Sequence, residues 1–399
     1  MPIINYTLFV NNYQILFGVS VAFLTGIGLS EFWLVDSQIV FWIFLLSLSI
    51  ALIFFQEKWV FCWGLIVSAF FAGLGYSDWL GREKLIVVSE HFWLFEILKI
   101  IRVKFENILS LLLPYPHSLL ATGLLVGIDA NFPKDLKQAF ITTGTIHIVA
   151  ISGFNITIVI KIFSDWVRGL GRRVAFLSGI LMVLGFVVLV GGQASVVRAG
   201  IMGGLFLAAR FLFRQTYMIN ALLASAALMV LQEPAILIKD IGFQLSFSAM
   251  LGLVYISPIL RWGIEQARIN KILPKFLGDV LVETIAAQIA VAPIIIFYFE
   301  RISLLSPIPN LLILPLIIVP MALSALAGLS GFIWLGLGKI FAYPLFWFLN
   351  YFIGTARFFS NVPGMQKGVV MTFWQTAGVY GIIVAIVFLA DKLKLKIKS

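Results

Sequence analysis

The chain has 399 residues, of which 61% are hydrophobic and only 12% charged, with a mean hydropathy of +1.06 and a formal net charge of +10. So few charged groups cannot cover the surface of a chain this apolar, which excludes a water-soluble domain. Cys62 is the only cysteine and lies in an apolar run, so an internal disulfide and a thiolate metal site are excluded as well.

A helical span takes roughly 20 apolar residues, and apolar runs recur along the whole length. The composition therefore predicts an all-α, polytopic integral membrane protein of about 11–13 membrane segments, broken or re-entrant helices among them. The N-terminal MPIINYTLFVNNYQ lacks the basic head and small-residue cleavage site of a signal peptide, so the first apolar run is expected to remain as a span. Spans are predicted near 13–29, 39–55 and 59–76, giving an N-terminal three-helix membrane module over 1–76.

Residues 78–107 mix Arg82, Lys84, Lys99, Arg102 and Lys104 with Trp79, Phe92, Trp93, Leu94 and Phe95, the pattern of an amphipathic segment at an interface. A short segment at 118–128 follows Pro114 and Pro116, and the turn Asn131-Phe132-Pro133 precedes a helix over 134–140. The stretch 77–141 is thus expected on one membrane face, as an external segment.

The run 142–163, TTGTIHIVAISGFNITIVIKIF, is long and apolar enough to cross a bilayer yet contains His147, Ser152 and Asn155, with Gly144 and Gly153. On an ideal helix His147 and Asn155 lie about 80° apart, and Ser152 about 60° further round, so the three share one broad face. Unsatisfied polar groups facing hydrocarbon cost a few kcal/mol, so that face is expected to line a bundle interior or a wet passage. His147 and Ser152 point about 140° apart on such a helix, which is poor geometry for a base and its nucleophile, and no orienting carboxylate lies nearby in sequence.

Further spans are predicted near 174–190, 197–213, 218–231, 241–256 and 280–299. Their connecting loops are alternately basic, with Lys161, Arg168, Arg172 and Arg173 in one, Arg210 and Arg214 in the next, and Arg261, Arg268, Lys271 and Lys275 in a third. The positive-inside bias places those loops in the cytoplasm, together with the N-terminus, and 77–141 outside; the basic residues of 77–107 run against that bias. In GGQASVVRAGIMGG, Arg198 opens a helix after a glycine-rich break, where it is either a phosphate contact or an interfacial side chain snorkelling to water. Gln244 and Ser246 follow Gly242 in DIGFQLSFSA and suit either a polar wall or hydrogen bonding between helices. Gln288 precedes Pro293, and Asn310 lies between Pro309 and Pro315, either as polar lining or as a turn residue. Pro307, Pro309, Pro315 and Pro320 interrupt one apolar run, which therefore cannot be a regular helix and is expected to be broken or re-entrant. Spans near 322–338, 341–359 and 373–390 precede a basic tail, 392–399. If that tail is cytoplasmic, the parity of crossings requires one proline-rich piece not to span.

The three histidines, His91, His117 and His147, show no HxH or HExxH spacing, and no Walker loop is present. No metal, cofactor or catalytic residue is therefore expected. Taken together, TGTIHIVAISGFNITIV, GQASVVRAGIM, EPAILIKDIGFQLSFSAMLGL, QIAVAP and PIPNLLILP resemble, in consistent order, the motifs of the ComEC-type competence family. The resemblance covers about 110–360 and implies that 142–391 is a channel domain of the bacterial inner membrane. Such a channel would pass single-stranded DNA into the cytoplasm during natural transformation. It also implies that His147, Ser152, Gly153, Arg198, Gln244, Ser246, Gln288 and Asn310 are channel or structural-core residues; the polar ones among them, with Asn155, are the candidates for the DNA path, and Gly144, Gly153, Gly242, Pro293, Pro309 and Pro315 are the structural glycines and prolines. Where the family has a second histidine this chain has Asn155, which hydrogen-bonds but does not titrate near neutral pH. The family's oligonucleotide-binding barrel and metallo-beta-lactamase-like nuclease have no counterpart in these 399 residues. The expected partners are single-stranded DNA, membrane lipids, a separate nuclease, a DNA receptor and a cytoplasmic helicase. The competing class is a secondary transporter for a small or lipid-linked anion, which uses the same broken helices and intramembrane arginine.

Overall fold

The computed structural model describes residues 12–30, 36–54, 57–79, 93–127, 132–149, 167–190, 194–211, 218–266 and 274–398. The chain divides into two compact units, Met1–Ser89 with Gly204–Gln244, and Glu90–Gly203 with Leu245–Ser399.

In the first unit α1 (Asn12–Ser30), α2 (Ser37–Ile53) and α3 (Lys58–Trp79) pack side by side. Small residues set the distance between them. A methyl on Gly26 would strike the carbonyl oxygen of Phe70, and one on Gly73 that of Phe23, so α1 and α3 touch backbone to backbone. Between α2 and α3 the buried hydroxyls of Ser47 and Ser68 share a hydrogen bond of 3.0 Å, a stabilising contact where no water competes. The Tyr76 hydroxyl donates to the Leu231 carbonyl at the end of α10 (Met218–Gln232), and the short α11 (Ile236–Lys239) follows in the same unit. Helices α9 (Ala194–Phe211) and α12 (Ile241–Leu251) contain the two boundaries after Gly203 and Gln244.

The second unit is built on α4 (Trp93–Leu112), α5 (His117–Val126), α6 (Lys134–Thr142), α7 (Ile146–Val149) and α8 (Arg172–Leu189), with the longer helices of the C-terminal half. A π-helical stretch, Gly252–Ile256, joins α12 to α13 (Ser257–Gln266). Then come α14 (Lys275–Phe299), the short strand β1 (Arg301–Ser303), α15 (Pro307–Ile313), α16 (Ile318–Ile333), α17 (Leu335–Ser360), β2 (Gln366–Gly368) and α18 (Phe373–Lys398). Residues 93–127, read from sequence as interfacial, share a hydrophobic core with α15–α17: Leu109, Leu113, Leu120 and Leu124 pack with Ile313, Leu345 and Leu349. On α17 the buried positions Gly338, Ala342, Leu345, Leu349, Phe352 and Ala356 recur every three or four residues, so one stripe faces that core. Glycines let α4 approach, since Phe105 lies over Gly328, Ile108 over Gly331 and Leu112 over Gly338.

Proline chemistry shapes the C-terminal half. Pro315 falls in a 3-10 turn (Leu314–Leu316), and the helices on either side of it meet at 45°. That bend joins the proline-rich run to the span expected at 322–338 as one bent pair, the shape of a broken span or a re-entrant loop. Pro293 lies inside α14 and withholds the donor that the Ile289 carbonyl would otherwise receive. One residue further on, the Ala290 carbonyl accepts from the Tyr380 hydroxyl of α18 at 2.9 Å. Gly252 opens the π-helical stretch against α14, where a methyl would come within 2.6 Å of the Ala286 carbonyl oxygen.

Among the described residues five helices are long and apolar enough to cross a bilayer, Trp59–Tyr76, Arg172–Leu189, Ile241–Glu265, Phe276–Phe299 and Phe373–Ala390. Counted as one span, the bent pair makes a sixth, and four shorter apolar helices accompany them. The protein is a multi-pass, all-α membrane protein. Directions within the second unit follow from the chain. Helix α14 runs toward β1, the α15–α16 pair leads away from it, α17 returns to β2, and α18 leads away again. The two strands therefore mark one end of the unit, and the start of α14 with the C-terminus of α18 marks the other.

Candidate functional site

Where α6 ends, Thr142-Thr143-Gly144-Thr145 forms a turn instead of continuing the helix. Gly144 adopts φ +69°, and the N–H of Thr145 turns back to the Phe140 carbonyl at 2.9 Å. The uninterrupted helix expected from residue 142 is thus replaced by a turn, and the new helix α7 begins at Ile146. Thr143 and Thr145 lock the turn through a 2.7 Å hydroxyl pair, with Thr143 also donating to the Ala139 carbonyl at 2.8 Å. Both side chains are completely buried. Any side chain at position 144 would place its Cβ 2.7 Å from Ser306 Cβ, so the turn presses directly on the start of α15.

Around this contact the structure closes a polar hub. Ser303 Oγ donates to the Thr142 carbonyl at 2.7 Å. Gln288 Nε2 donates to the Ser303 carbonyl at 2.7 Å, and its Oε1 accepts from Ser306 Oγ at 2.9 Å. The antiparallel pairing of β1 with β2 sets Ser303 opposite Gln366, whose Oε1 accepts from Thr142 Oγ1 at 3.1 Å. The amide of Gln138 reaches the same Thr142 hydroxyl at 3.4 Å. One glutamine side chain thus ties α14 to β1 and α15, and one threonine ties α6 to both strands. Such a network resists separation, because opening any part of it orphans several half-buried polar groups at once.

The residues singled out by sequence fall in several places. His147 lies in the first turn of α7 with Nδ1 donating to the Gly144 carbonyl at 2.9 Å; its side chain is exposed, and its Nε2 is left as the acceptor when the ring is neutral. Gln288 belongs to the hub. Asn310, three residues beyond Pro307 in α15, is buried, and its Oδ1 has no partner among the described residues. Pro309 is buried beside it. Arg198 lies in the second turn of α9, is only 5% exposed, and stacks its guanidinium 5.5 Å from the ring centre of Phe247, so it does not snorkel to a surface. Helices α8 and α9 meet closely next to it, since a methyl on Gly200 would fall 2.7 Å from Val187. Gln244 donates to the carbonyls of Leu237 at 3.3 Å and Ile238 at 2.7 Å, closing the short α11 onto α12 beside Gly242. Ser246 is half-buried on α12. Ser152, Gly153 and Asn155 lie outside the described residues.

Sequence reasoning missed Thr142, Ser303, Ser306 and Gln366 as partners. Ser303 and Ser306, just ahead of a proline pair, were a readable signal. Gln366 was not, because only the strand pairing brings it to Ser303.

Comparison with known proteins adds a family. The model of the family described as Competence protein matches residues 124–394, which takes in the turn, the hub and the bent pair. The chain is 28% identical over 219 residues to ComE operon protein 3 of Bacillus subtilis, covering 54% of this chain and 27% of that protein. It is 28% identical over 239 residues to an uncharacterized MG316 homolog of Mycoplasma pneumoniae, covering 59% and 58%. A third relative, the uncharacterized YcaI of Escherichia coli, is 28% identical over 238 residues, covering 55% and 30%. The chain therefore spans less than two thirds of the length of each of these relatives, and no solved structure matches it. With the family model covering well over half of its residues, the chain belongs to the Competence protein family.

Proposed function

We propose that this protein is the membrane-embedded conduit of a DNA-uptake system, passing single-stranded DNA across the bacterial inner membrane into the cytoplasm. The observation that carries the reading is the family match over 124–394, because the matched stretch contains the polar hub, the 45° bend and the proline-interrupted helix α14. Broken backbone and clustered amides at the end of an apolar bundle are tolerated where water or protein satisfies them, and a passage for a polyanion supplies that water.

In this reading the strands and the hub face the outside. The opposite end, with Arg261 near the start of α14 and the lysine-rich end of α18, lies in the cytoplasm in accord with the positive-inside bias. The DNA strand enters beside the hub, which fixes the ends of α6, α14 and α15 at that mouth. Arg198 and Asn310, with His147, provide further polar contacts at depth, and aromatic side chains offer sequence-blind stacking. The role is transport and not catalysis: hydrolysis of the second strand and ATP-driven pulling belong to a separate nuclease and helicase.

The test uses a naturally transformable host that carries this gene. Deleting the gene should abolish nuclease-protected, internalised DNA, and a plasmid copy should restore it. Uptake that persists in the deletion strain, together with loss of accumulation of a small anion, would overturn this reading in favour of a secondary transporter.

A further inference from the structure

The geometry points to Arg301 as the residue that receives the phosphodiester backbone at the outer mouth, an assignment that rests on the conduit reading. Side chains alternate between the two faces of a strand, and directly opposed residues share a face. Arg301 is opposed to Gly368, Ile302 to Lys367 and Ser303 to Gln366. Arg301, Ser303 and Gln366 therefore share the face that carries the hub, while Ile302 and Lys367 occupy the other. Glycine at 368 leaves the place opposite Arg301 without a side chain. The diagonal neighbour of Arg301 across the ladder is Gln366, roughly 7–8 Å away at that spacing.

The hydrogen bonds on that face run in one direction. Gln138 donates to Thr142, and Thr142 donates to the Oε1 of Gln366, so the Nε2 donors of Gln366 take no part in the relay. A partly exposed guanidinium and an amide whose donors have no partner among the described residues thus stand at neighbouring positions on a short, backbone-locked ladder. The guanidinium is steadied by the Phe299 ring, its centre 5.9 Å from the guanidinium carbon, and no carboxylate among the described residues lies within ion-pair distance of it. A planar cation with forked donors, next to a second donor, is suited to a phosphodiester oxygen pair. Lys367, pointing to the opposite face, serves as the internal control.

The experiment has two arms, both on the full chain. In the transformable host, Arg301→Ala, Arg301→Lys and Lys367→Ala are compared with the wild type and the gene deletion at limiting DNA and matched membrane protein level. Loss of one charge-assisted contact predicts a fall in uptake on the order of tenfold for Arg301→Ala, partial recovery for Arg301→Lys, and near wild-type uptake for Lys367→Ala. In the second arm, purified protein in nanodiscs is titrated with a fluorescent oligothymidylate over a range of salt. Removing one phosphate contact should make the slope of log affinity against log salt shallower by about 0.7 for Arg301→Ala, a readout that a merely structural role does not move. Wild-type uptake and an unchanged slope in Arg301→Ala, with the deletion strain inactive, overturn this assignment and leave the conduit reading standing. A deletion strain that takes up DNA normally overturns both.

Discussion

Replacing Gly144 by alanine perturbs the hub at its tightest contact. Two costs add. Position 144 holds φ +69°, where a residue with a Cβ loses on the order of 1 kcal/mol relative to glycine. The new Cβ would also meet Ser306 Cβ at 2.7 Å and its Oγ at 3.2 Å, so Ser306 must move. Moving it stretches the 2.9 Å bond to Gln288, worth about 0.5–1.5 kcal/mol and more if Gln288 is left unpaired. The sum is about 1.5–2.5 kcal/mol for Gly144→Ala. Purified protein in mixed micelles, unfolded with SDS and followed by tryptophan fluorescence, measures it. The double variant Gly144→Ala with Ser306→Gly separates the terms, because it removes the clash but keeps the backbone strain. If Gly144→Ala alone costs less than about 0.5 kcal/mol, or if the double variant is no better than the sum of the singles, the turn does not press on α15 and the reasoning fails.

Gln288→Ala removes both bonds that join α14 to β1 and α15 and should cost about 2–4 kcal/mol in the same titration, with Gln288→Glu intermediate because Glu keeps the acceptor for Ser306. Tyr380→Phe deletes the bond to the Ala290 carbonyl, together with the contact to the Ser248 hydroxyl, and should cost about 1–2 kcal/mol, visible as faster hydrogen exchange near Pro293. Arg261→Ala should change stability by less than about 1 kcal/mol, because its bridges to Asp279 and Glu283 are solvent-exposed, and a larger loss would show that the pairs are shielded by lipid.

Much of the architecture was legible because hydrophobicity reports membrane burial directly. The three N-terminal helices, α14 and α18 follow from unbroken apolar runs, and the bent pair from four prolines in one of them. What sequence could not show came from contacts that carry no local signature. Helix α4 reads as interfacial because it mixes Lys99, Arg102 and Lys104 with Trp93, Leu94 and Phe95; the structure adds that Arg102 pairs with Glu106 at 3.0 Å and that Leu109 is fully buried. Snorkelling stems and a helical ion pair let a charged helix pack like an apolar one. The run from residue 142 looked like a single helix because Gly144 is compatible with one, and only the close approach of Ser306 makes the left-handed turn necessary. Gln288 was visible as a polar residue ahead of Pro293, whereas its partners were set by a ladder of three residues that no periodicity announces.

Hydrogen-bonding groups inside an apolar bundle serve either to join helices or to meet a passing solute, and the two roles respond differently to substitution. Gln288, Ser303 and Ser306 satisfy one another, so their removal is chiefly a loss of stability. Asn310 differs, since among the described residues its buried Oδ1 has no partner, in a helix bounded by prolines. An orphaned buried acceptor costs about 1–3 kcal/mol, and replacing the whole amide by an apolar group of similar volume should recover part of that. Asn310→Leu is therefore expected to be as stable as the wild type or more so, while DNA uptake falls if the amide faces the conduit. A variant that gains stability and keeps full uptake would assign Asn310 to packing strain alone, and a variant that loses stability would show that the amide holds the bend. Only a gain in one measure with a loss in the other marks a group kept for what passes by it.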